Sequence, residues 1–378
     1  MKVTHIFWGL TYGGIETMLV NIVNEQVELG IEVSVVIIND MLETELLTKI
    51  DKRINVICIY RQLHSISFGF INKINRDLDK IEPNIIHLHG GDIFDFLNAR
   101  RRKKSYVVVT LHAMPTGRLG LPWRWGSMFQ NFVLHQKGNV RALNRIKNVF
   151  SISQSVADAL LNNYHIKSKV VYNGIKSTFF LPRNNRKPQG IFRIVQVSRL
   201  EHLTKGQDIL IEAVYILKNK FGISVDVSFI GEGKSLFALK NMAVKLGISD
   251  QIVFEGAKSQ EFLADHLRDF DLFVQASRFE GFGLTVAEAM ASNLPVLVSL
   301  GQGPSEVTQN DKYGWVFVNS DSEDLAIQIN NIIEHYDKAL KKAFEARQYA
   351  FDKFDVKVTA SSYLNNYMQL LDTTFDKL

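Results

Sequence analysis

Short apolar runs rich in β-branched residues alternate with amphipathic helical patterns along almost the whole chain. A parallel strand buried on both faces has such a run, and the helix after it returns the chain to the start of the next strand. The alternation predicts an α/β fold with parallel sheets. In the first half we expect strands at 2–8, 31–38, 55–59, 85–89, 105–110, 149–153 and 169–173, and helices at 16–29, 70–81, 154–163 and within 124–147.

A polar segment with two prolines and a glycine, 181–191, interrupts this alternation and predicts a hinge. After it we expect strands at 192–198, 225–230, 251–254, 271–276, 295–299 and 315–318, and helices at 207–219, 235–246, 260–268, 285–291, 322–350 (with a break) and 356–372. The 378 residues suit two domains. The predicted domains are 1–180, completed by a C-terminal helix at about 355–378, and 190–354. Both are doubly wound parallel sheets, with ligands expected beyond the carboxyl ends of the strands, in the cleft between domains.

The single cysteine, Cys58, lies within an apolar run, where a cysteine is usually a small buried hydrophobe. It cannot form an internal disulfide, which favours a reducing compartment. The N-terminus begins with a predicted strand rather than a signal peptide, and no apolar run reaches about 18 residues. We therefore expect a cytoplasmic protein.

The charge is unevenly distributed. The net charge is +5, but the 62 residues from Phe96 to Ala157 contain eleven Lys or Arg and no Asp or Glu, which leaves 33 basic and 39 acidic residues elsewhere. Interfacial aromatics accompany these cations, which predicts contact with an anionic membrane on the inner face of the cell. The candidate residues are Arg100, Arg101, Arg102, Lys103, Lys104, Trp123, Arg124 and Trp125. In the alternative, the aromatics fill a core and the cations are solvated; a nucleic-acid partner is not favoured, because no reader motif is present.

Two features of the first half could bind a ligand. The turn 9–16 contains three glycines and precedes a helix, which suits an anion at the helix N-terminus or only a tight turn. It is not a G-x-G-x-x-G fingerprint. His87, His89 and His112 lie at strand ends, where they could face a ligand, serve as structural histidines, or bind zinc. The zinc reading is weak because no Cys or carboxylate has a matching spacing.

The second half contains the more specific motifs. Arg199 and Lys205 lie after a predicted strand and suit a pyrophosphate. Glycines 281 and 283 precede a helix, whose N-terminus also favours phosphate, while Glu280 and Glu288 suit sugar and ribose hydroxyls. Two D-x-D triplets, 77–79 and 269–271, could hold a divalent metal, but their placement predicts solvated surface.

In this order, these motifs resemble the retaining GT-B glycosyltransferases of glycosyltransferase family 4, also called glycosyl transferases group 1. The resemblance runs from Gly13 to about Val318. Glu280 and Glu288 match the family's E-x7-E signature, and Arg199 and Lys205 match its basic pair. The other matching segments are Asn173-Gly174-Ile175, Gly231-x-Gly233, Val253-x-x-Gly256 and Gly303-x-x-Glu306. Lys176, Ala276 and Asn293 depart from the pattern, although Asn293 can adopt the left-handed cap that glycine usually provides.

The resemblance implies two Rossmann-like domains and transfer of a sugar from a nucleotide donor to an acceptor hydroxyl. By family frequency the donor is a UDP-sugar, and the expected acceptor is a lipid-linked glycan. Arg199 and Lys205 would neutralise the diphosphate without a metal or another cofactor, which is the electrostatic stabilisation that the reaction most needs. The implied catalytic residues are His112, Arg199, Lys205 and Glu280. The implied donor-binding residues are Gly13, Gly14, Phe254, Gly281, Phe282, Gly283, Leu284 and Glu288. The alternatives are a nucleotide-sugar epimerase of the same fold and a non-catalytic partner of another transferase.

Overall fold

The computed structural model describes residues 1–11, 13–62, 65, 67–113, 142–184 and 187–372. The chain forms two compact units. The N-terminal unit comprises Met1–Gly174 and the segment from Val356 onward, and the C-terminal unit comprises Ile175–Asp355. The chain therefore passes between the units at two places, and each unit is described separately below.

The N-terminal unit contains a seven-stranded sheet of order β3-β2-β1-β4-β5-β6-β7, with every pair parallel. Its strands are β1 (Lys2–Phe7), β2 (Glu32–Asn39), β3 (Asn55–Arg61), β4 (Ile85–Leu88), β5 (Tyr106–Leu111), β6 (Asn148–Ser151) and β7 (Lys169–Val170). Its first helices are α1 (Gly14–Glu28), α2 (Thr44–Thr48), α3 (Gly69–Ile81), α4 (Ala99–Lys104) and α5 (Gln154–Tyr164). The helical stretch expected inside 124–147 lies largely outside the described residues.

The C-terminal unit contains a six-stranded parallel sheet of order β10-β9-β8-β11-β12-β13. Its strands are β8 (Phe192–Val197), β9 (Val225–Ile230), β10 (Ile252–Gly256), β11 (Leu272–Gln275), β12 (Val296–Ser299) and β13 (Trp315–Phe317). The remaining helices are α6 (His202–Lys205), α7 (Gln207–Ile216), α8 (Leu236–Lys245), α9 (Gln260–His266), α10 (Leu284–Ala291), α11 (Gly303–Val307), α12 (Ser322–Glu334), α13 (Tyr336–Phe354) and α14 (Val356–Asp372). The helical pattern at 322–350 breaks at His335, between α12 and α13.

Apart from the additional edge strand β7, the two sheets have the same strand order, which confirms the predicted pair of doubly wound sheets. The first strand of each sheet is internal, and the strand order reverses beside it, between β1 and β4 in one unit and between β8 and β11 in the other. Loops that leave the carboxyl ends of two strands at such a switch point diverge and open a crevice. Ligand-binding residues are therefore expected in the loops after these four strands.

The last helix, α14, belongs to the N-terminal unit. It packs along α1, and its Tyr363 and Tyr367 are buried. Thr359 of this helix donates a hydrogen bond to the Tyr172 carbonyl at 2.9 Å. A Cβ atom at Gly174 would lie 2.6 Å from the Val356 Cα, so only glycine fits where the chain leaves this unit.

The boundary between the two units does not lie in the segment 181–191, where a hinge was expected. The change between units falls at Gly174–Ile175, and Arg183 lies inside the C-terminal unit. The Arg183 side chain is 5% exposed and forms an ion pair with Asp271 at 2.7 Å. The prediction rested on the polar composition of the segment, which does not reveal that one of its cations is buried. Asn293 does adopt the expected left-handed conformation, with a φ of 57°.

Candidate functional site

In the C-terminal unit, the loops after β8 and β11 are joined backbone to backbone. The Thr204 carbonyl accepts hydrogen bonds from the amides of Arg278 at 2.9 Å and Phe279 at 3.2 Å. Gly206 has a φ of +65°, and a Cβ atom there would lie 1.8 Å from the Ala276 carbonyl oxygen. Glycine at 206 therefore allows the two loops to meet at the switch point.

This contact brings Lys205 and Glu280 together. The Lys205 Nζ lies 2.5 Å from the Glu280 Oε2, and the two side chains are 16% and 21% exposed. Gln196 donates a hydrogen bond to the Lys205 carbonyl at 2.7 Å, while Gln302 accepts one from the Glu280 amide at 3.1 Å. These two hydrogen bonds hold the backbone of both residues in place. The pair is also partly shielded from water, and shielded charges interact more strongly than charges on an open surface.

The N-terminus of α10 lies directly after this pair in the sequence. Gly283 is its N-cap residue, in the left-handed conformation with a φ of +97°, and has no side chain to cap the helix. A Cβ atom at Gly303 would lie 2.4 Å from the Gly281 carbonyl, so the loop after β12 packs closely beneath the turn. Phe282 is 2% exposed and packs edge-on against Phe354. The turn thus presents main chain rather than side chains at the positive end of a helix dipole, as a phosphate requires.

Glu288 lies one turn inside the same helix and is 7% exposed. Its Oε1 accepts a hydrogen bond from Gln260 at 3.2 Å. Burial raises the pKa of the Glu288 carboxyl from 4.5 to about 7, and the bond from Gln260 opposes this only in part. A carboxyl in this position can accept hydrogen bonds from ligand hydroxyls, which is the chemistry predicted for it.

Arg199 lies in the loop after β8, but its side chain is 77% exposed. It contacts the Glu201 carboxylate at 3.9 Å, and that carboxylate pairs with Lys234 at 2.7 Å. The Lys234 ammonium holds the pKa of the Glu201 carboxyl below its usual value. The predicted site residues did not include Glu201, Lys234, Gln260 or Gln302, since an isolated polar residue in a loop or at the start of a helix belongs to no motif.

Phe254 is located on β10, where its ring lies 5.3 Å from that of Phe229. The Lys240 ammonium lies 6.0 Å from the centroid of the Phe254 ring. The structure thus places Phe254 two strands from β8, and its contact with a nucleotide base stays a prediction.

In the N-terminal unit, the turn after β1 ends at Gly13, the N-cap residue of α1. A Cβ atom at Gly13 would lie 2.3 Å from a Glu16 carboxylate oxygen. The Glu16 side chain therefore folds back over the first turn of the helix, as the glutamate at position N3 of a capping box does. Gly14, the first residue of the helix, is exposed. An anion at this N-terminus would have to share it with the Glu16 carboxylate.

The strand-end histidines form a cluster with a fourth member, His5 of β1. His112 Nε2 lies 2.9 Å from His89 Nδ1, and His89 Nε2 lies 2.9 Å from His5 Nδ1. His87 instead bonds Tyr367 at 2.5 Å and Thr110 at 2.7 Å. Burial lowers the pKa values of His5 and His112 to about 4, and it holds those of His87 and His89 well below the usual value. The predicted histidines did not include His5, because it lies inside a strand rather than at its end.

One nitrogen from each of His5, His87 and His89 lies within 4.8 Å of the others, so these three residues could approach one metal ion. This trio differs from the predicted one, since His5 replaces His112. Both nitrogens of His87 already have hydrogen-bond partners, and His5 and His89 use one nitrogen each on the other. The set fits a hydrogen-bonded cluster better than a metal centre.

The two D-x-D triplets are the predicted solvated surface only in part, since Asp269 is exposed whereas Asp77 and Asp271 are buried. Asp79 forms an ion pair with Arg101, and Asp77 is 9% exposed. Asp271 is 3% exposed and is paired with Arg183. At least one carboxylate of each triplet thus serves a structural ion pair, a role that the sequence spacing does not reveal.

The basic segment is only partly described. Arg101 of α4 is 1% exposed, so it cannot contact a membrane, which corrects that prediction. The other basic residues of α4 are exposed: Arg100, Arg102, Lys103 and Lys104. Trp123, Arg124 and Trp125 lie outside the described residues. Among the residues that the structure describes, no helix is both long enough and apolar enough to cross a membrane.

Solved structures identify the class of fold. The chain aligns over 97% of its length with 99% of Anabaena HepE, a structure solved in complex with UDP and glucose, at a TM-score of 0.78 and 21% identity. Two parallel-sheet Rossmann-like units in one chain, in this topology, constitute the GT-B fold of glycosyltransferases.

Family models identify the chain more closely. The model described as "Glycosyltransferase Family 4" matches residues 12–179, and that described as "Glycosyl transferases group 1" matches residues 178–350. The chain therefore belongs to the group 1, family 4 glycosyltransferases, as the motifs predicted.

Two curated relatives share this similarity. Mannosylfructose-phosphate synthase of Agrobacterium fabrum is 29% identical over 196 residues, which is 47% of this chain and 43% of the relative. Poly(ribitol-phosphate) alpha-N-acetylglucosaminyltransferase of Staphylococcus aureus is 23% identical over 235 residues, which is 62% of this chain and 46% of the relative. The match thus spans less than half the length of each of these relatives.

Proposed function

We propose that this protein is a retaining, metal-independent glycosyltransferase that moves a sugar from a nucleotide sugar, a UDP-sugar in our proposal, to an acceptor hydroxyl. The observation that carries the proposal is the Lys205–Glu280 pair at the switch point of the C-terminal unit, directly before the glycine-bounded N-terminus of α10. A cation, a carboxylate and a helix N-terminus are the groups that a sugar diphosphate needs for binding and for departure.

In the proposed reaction, the bond from the anomeric carbon to the phosphate oxygen breaks while the acceptor oxygen bonds to the same face. The acceptor proton passes to the departing phosphate. Negative charge builds on that phosphate, and Lys205, Arg199 and the α10 N-terminus stabilise it in place of a metal ion. Arg199 suits this role because its side chain is exposed and its contact with Glu201 is long.

The remaining roles follow from chemistry. When the donor binds, the Glu280 carboxylate would weaken its ion pair with Lys205 and accept hydrogen bonds from sugar hydroxyls. Glu288 would accept hydrogen bonds from the ribose. Support for UDP comes from HepE, which was solved with that nucleotide. The proposed acceptor is a lipid-linked glycan in the synthesis of a cell-surface polysaccharide, and the relative named for poly(ribitol-phosphate) supports a polymeric acceptor.

The exposed cations of α4 support a peripheral contact with an anionic membrane, where such an acceptor would be found. Each Lys or Arg near an anionic surface contributes about 1 kcal/mol to binding. Four exposed cations on one short helix therefore suffice for a weak and salt-sensitive contact.

The test is a donor screen followed by two variants. The purified chain is incubated with UDP- and GDP-sugars and with lipid-linked and free glycans, and NMR identifies the anomeric configuration of the product. Lys205→Ala and Glu280→Ala should each lower kcat about 100-fold or more, the usual effect of removing one preorganised polar contact that the transition state needs. Lys220→Ala is the matched control, because Lys220 forms an equally short pair with Glu323 on the exposed surface of the same unit.

Normal turnover by both active-site variants would refute the assigned site. An inverted anomer would refute retention. Release of an epimerised sugar without transfer would instead favour an epimerase, and binding of a partner transferase without turnover would favour a non-catalytic subunit.

A further inference from the structure

Three imidazole rings in the N-terminal unit form a continuous hydrogen-bonded chain. His5 and His89 are joined at 2.9 Å, as are His89 and His112. Their ring planes are inclined by only 23° and 17°, and the ring centroids are 5.2 Å apart in both pairs. The rings are thus linked edge to edge, the arrangement in which an N–H of one ring points at the lone pair of the next.

The far end of this chain sets its direction. His5 Nε2 lies 2.8 Å from Gln26 Oε1, and an amide oxygen can only accept a hydrogen bond. With the Gln26 amide oriented in this way, His5 carries its proton on Nε2 and accepts at Nδ1 from His89 Nε2–H. By the same rule, His89 accepts at Nδ1 from His112 Nε2–H. Each neutral ring has one N–H, so His112 Nδ1 is left with a bare lone pair.

That atom, His112 Nδ1, is buried and has no hydrogen-bond partner among the described residues. Buried polar atoms in native proteins are nearly always bonded. A lone pair in this state suits a ligand that brings a donor, and a hydroxyl is the donor that a sugar offers in quantity.

We propose that Gln26, His5 and His89 are positioning residues that hold His112 as the neutral Nε2–H tautomer, so that its Nδ1 accepts a hydrogen bond from a substrate hydroxyl. The identity of the substrate rests on the proposed function, whereas the tautomer does not.

The hydrogen-bonded chain of His5, His89 and His112 orients His112 and does not conduct protons. A proton delivered to His112 Nδ1 could move only as far as His5 Nε2, because the Gln26 amide does not take up a proton at neutral pH. The resulting imidazolium would be buried. Burial lowers the pKa values of His5 and His112 to about 4, so the rings are neutral at pH 7.

A metal ion in the cluster would require a different arrangement. Zinc binds an imidazole nitrogen through its lone pair, at a zinc–nitrogen distance of about 2.0–2.1 Å. His87 has both nitrogens bonded, and the ion would have to separate His5 from His89. Metal binding and the histidine chain therefore exclude each other, which makes a bound metal an outcome that overturns the proposal.

The decisive experiment is a long-range proton–nitrogen NMR spectrum of the full chain labelled with [15N]histidine, recorded at pH 7 and assigned with single His→Gln variants. We expect His5, His89 and His112 each to be protonated at Nε2 and bare at Nδ1. Added UDP-glucose, or an acceptor found in the donor screen, should shift the His112 Nδ1 signal. A protonated His112 Nδ1, an imidazolium, or one bound metal ion per chain would overturn the assignment.

Two variants separate positioning from simple packing. Gln26→Leu removes the acceptor that orders the chain, so His112 should become a mixture of tautomers and kcat should fall about fivefold to tenfold, the size of one hydrogen bond. Thr110→Val is the matched control, because it removes a buried bond to His87 outside the chain and should leave the His112 tautomer unchanged. An unchanged tautomer in Gln26→Leu, or a lost one in Thr110→Val, would refute the proposal. Because the tautomer is read in the free protein, it can fail or hold independently of transferase activity.

Discussion

Replacing Glu288 with glutamine should stabilise the protein above neutral pH. The carboxyl is 7% exposed, it accepts a hydrogen bond from Gln260, and burial raises its pKa from 4.5 to about 7. Between these two values the folded protein binds more protons than the unfolded chain, so the free energy of unfolding falls as the pH rises. One pKa unit corresponds to about 1.4 kcal/mol, and the shift therefore costs about 3 kcal/mol above pH 7.

Glutamine has the same shape and carries no charge, so Glu288→Gln should remove this cost. We expect the variant and the wild type to be equally stable near pH 4.5, and the variant to gain up to about 3 kcal/mol by pH 8. Urea unfolding followed by circular dichroism at half-unit pH steps measures the difference. The control is Glu323→Gln on the exposed surface, which should stay within about 0.5 kcal/mol at every pH. A Glu288→Gln difference that does not change with pH would refute the reasoning. The same variant should bind UDP more weakly, which would explain why a costly carboxyl is present.

The other predictions concern the metal, the buried ion pair and the membrane. Turnover should survive excess chelator; complete loss with rescue by manganese or magnesium would contradict the proposed role of Arg199 and Lys205. Arg183→Met should lower the free energy of unfolding by about 3–5 kcal/mol, because it leaves Asp271 buried and unpaired, and Asp271→Leu added to it should restore much of the loss in urea unfolding. Flotation with vesicles should increase with anionic lipid, decrease with salt, and fail when the four exposed cations of α4 are neutralised; equal recovery with neutral vesicles would argue against membrane contact. Arg101→Gln should instead reduce stability, as a thermal melt would show, because Arg101 is buried against Asp79.

Most strands and helices could be predicted from the sequence, since each depends on local pattern. The strand Val225–Ile230 and the helix Val356–Asp372 have the predicted bounds. A run of β-branched residues favours an extended buried strand wherever it lies. The motif around Glu280 and Glu288 is also local, because its two glutamates are only eight positions apart in the sequence.

Contacts between distant segments could not be predicted in this way. Lys205 and Glu280 are 75 positions apart, and they meet because β8 and β11 are neighbours at the switch point and Gly206 lets their loops touch. His5 joins His89 and His112 because β1 pairs with β4, which places His5 opposite His87. Arg183 looked like part of a polar hinge, yet it is buried because Asp271 lies 88 positions away and provides its charge partner. Sequence pattern determines which face of an element is buried, but strand order and register decide which residues meet there, and only the folded chain contains that information.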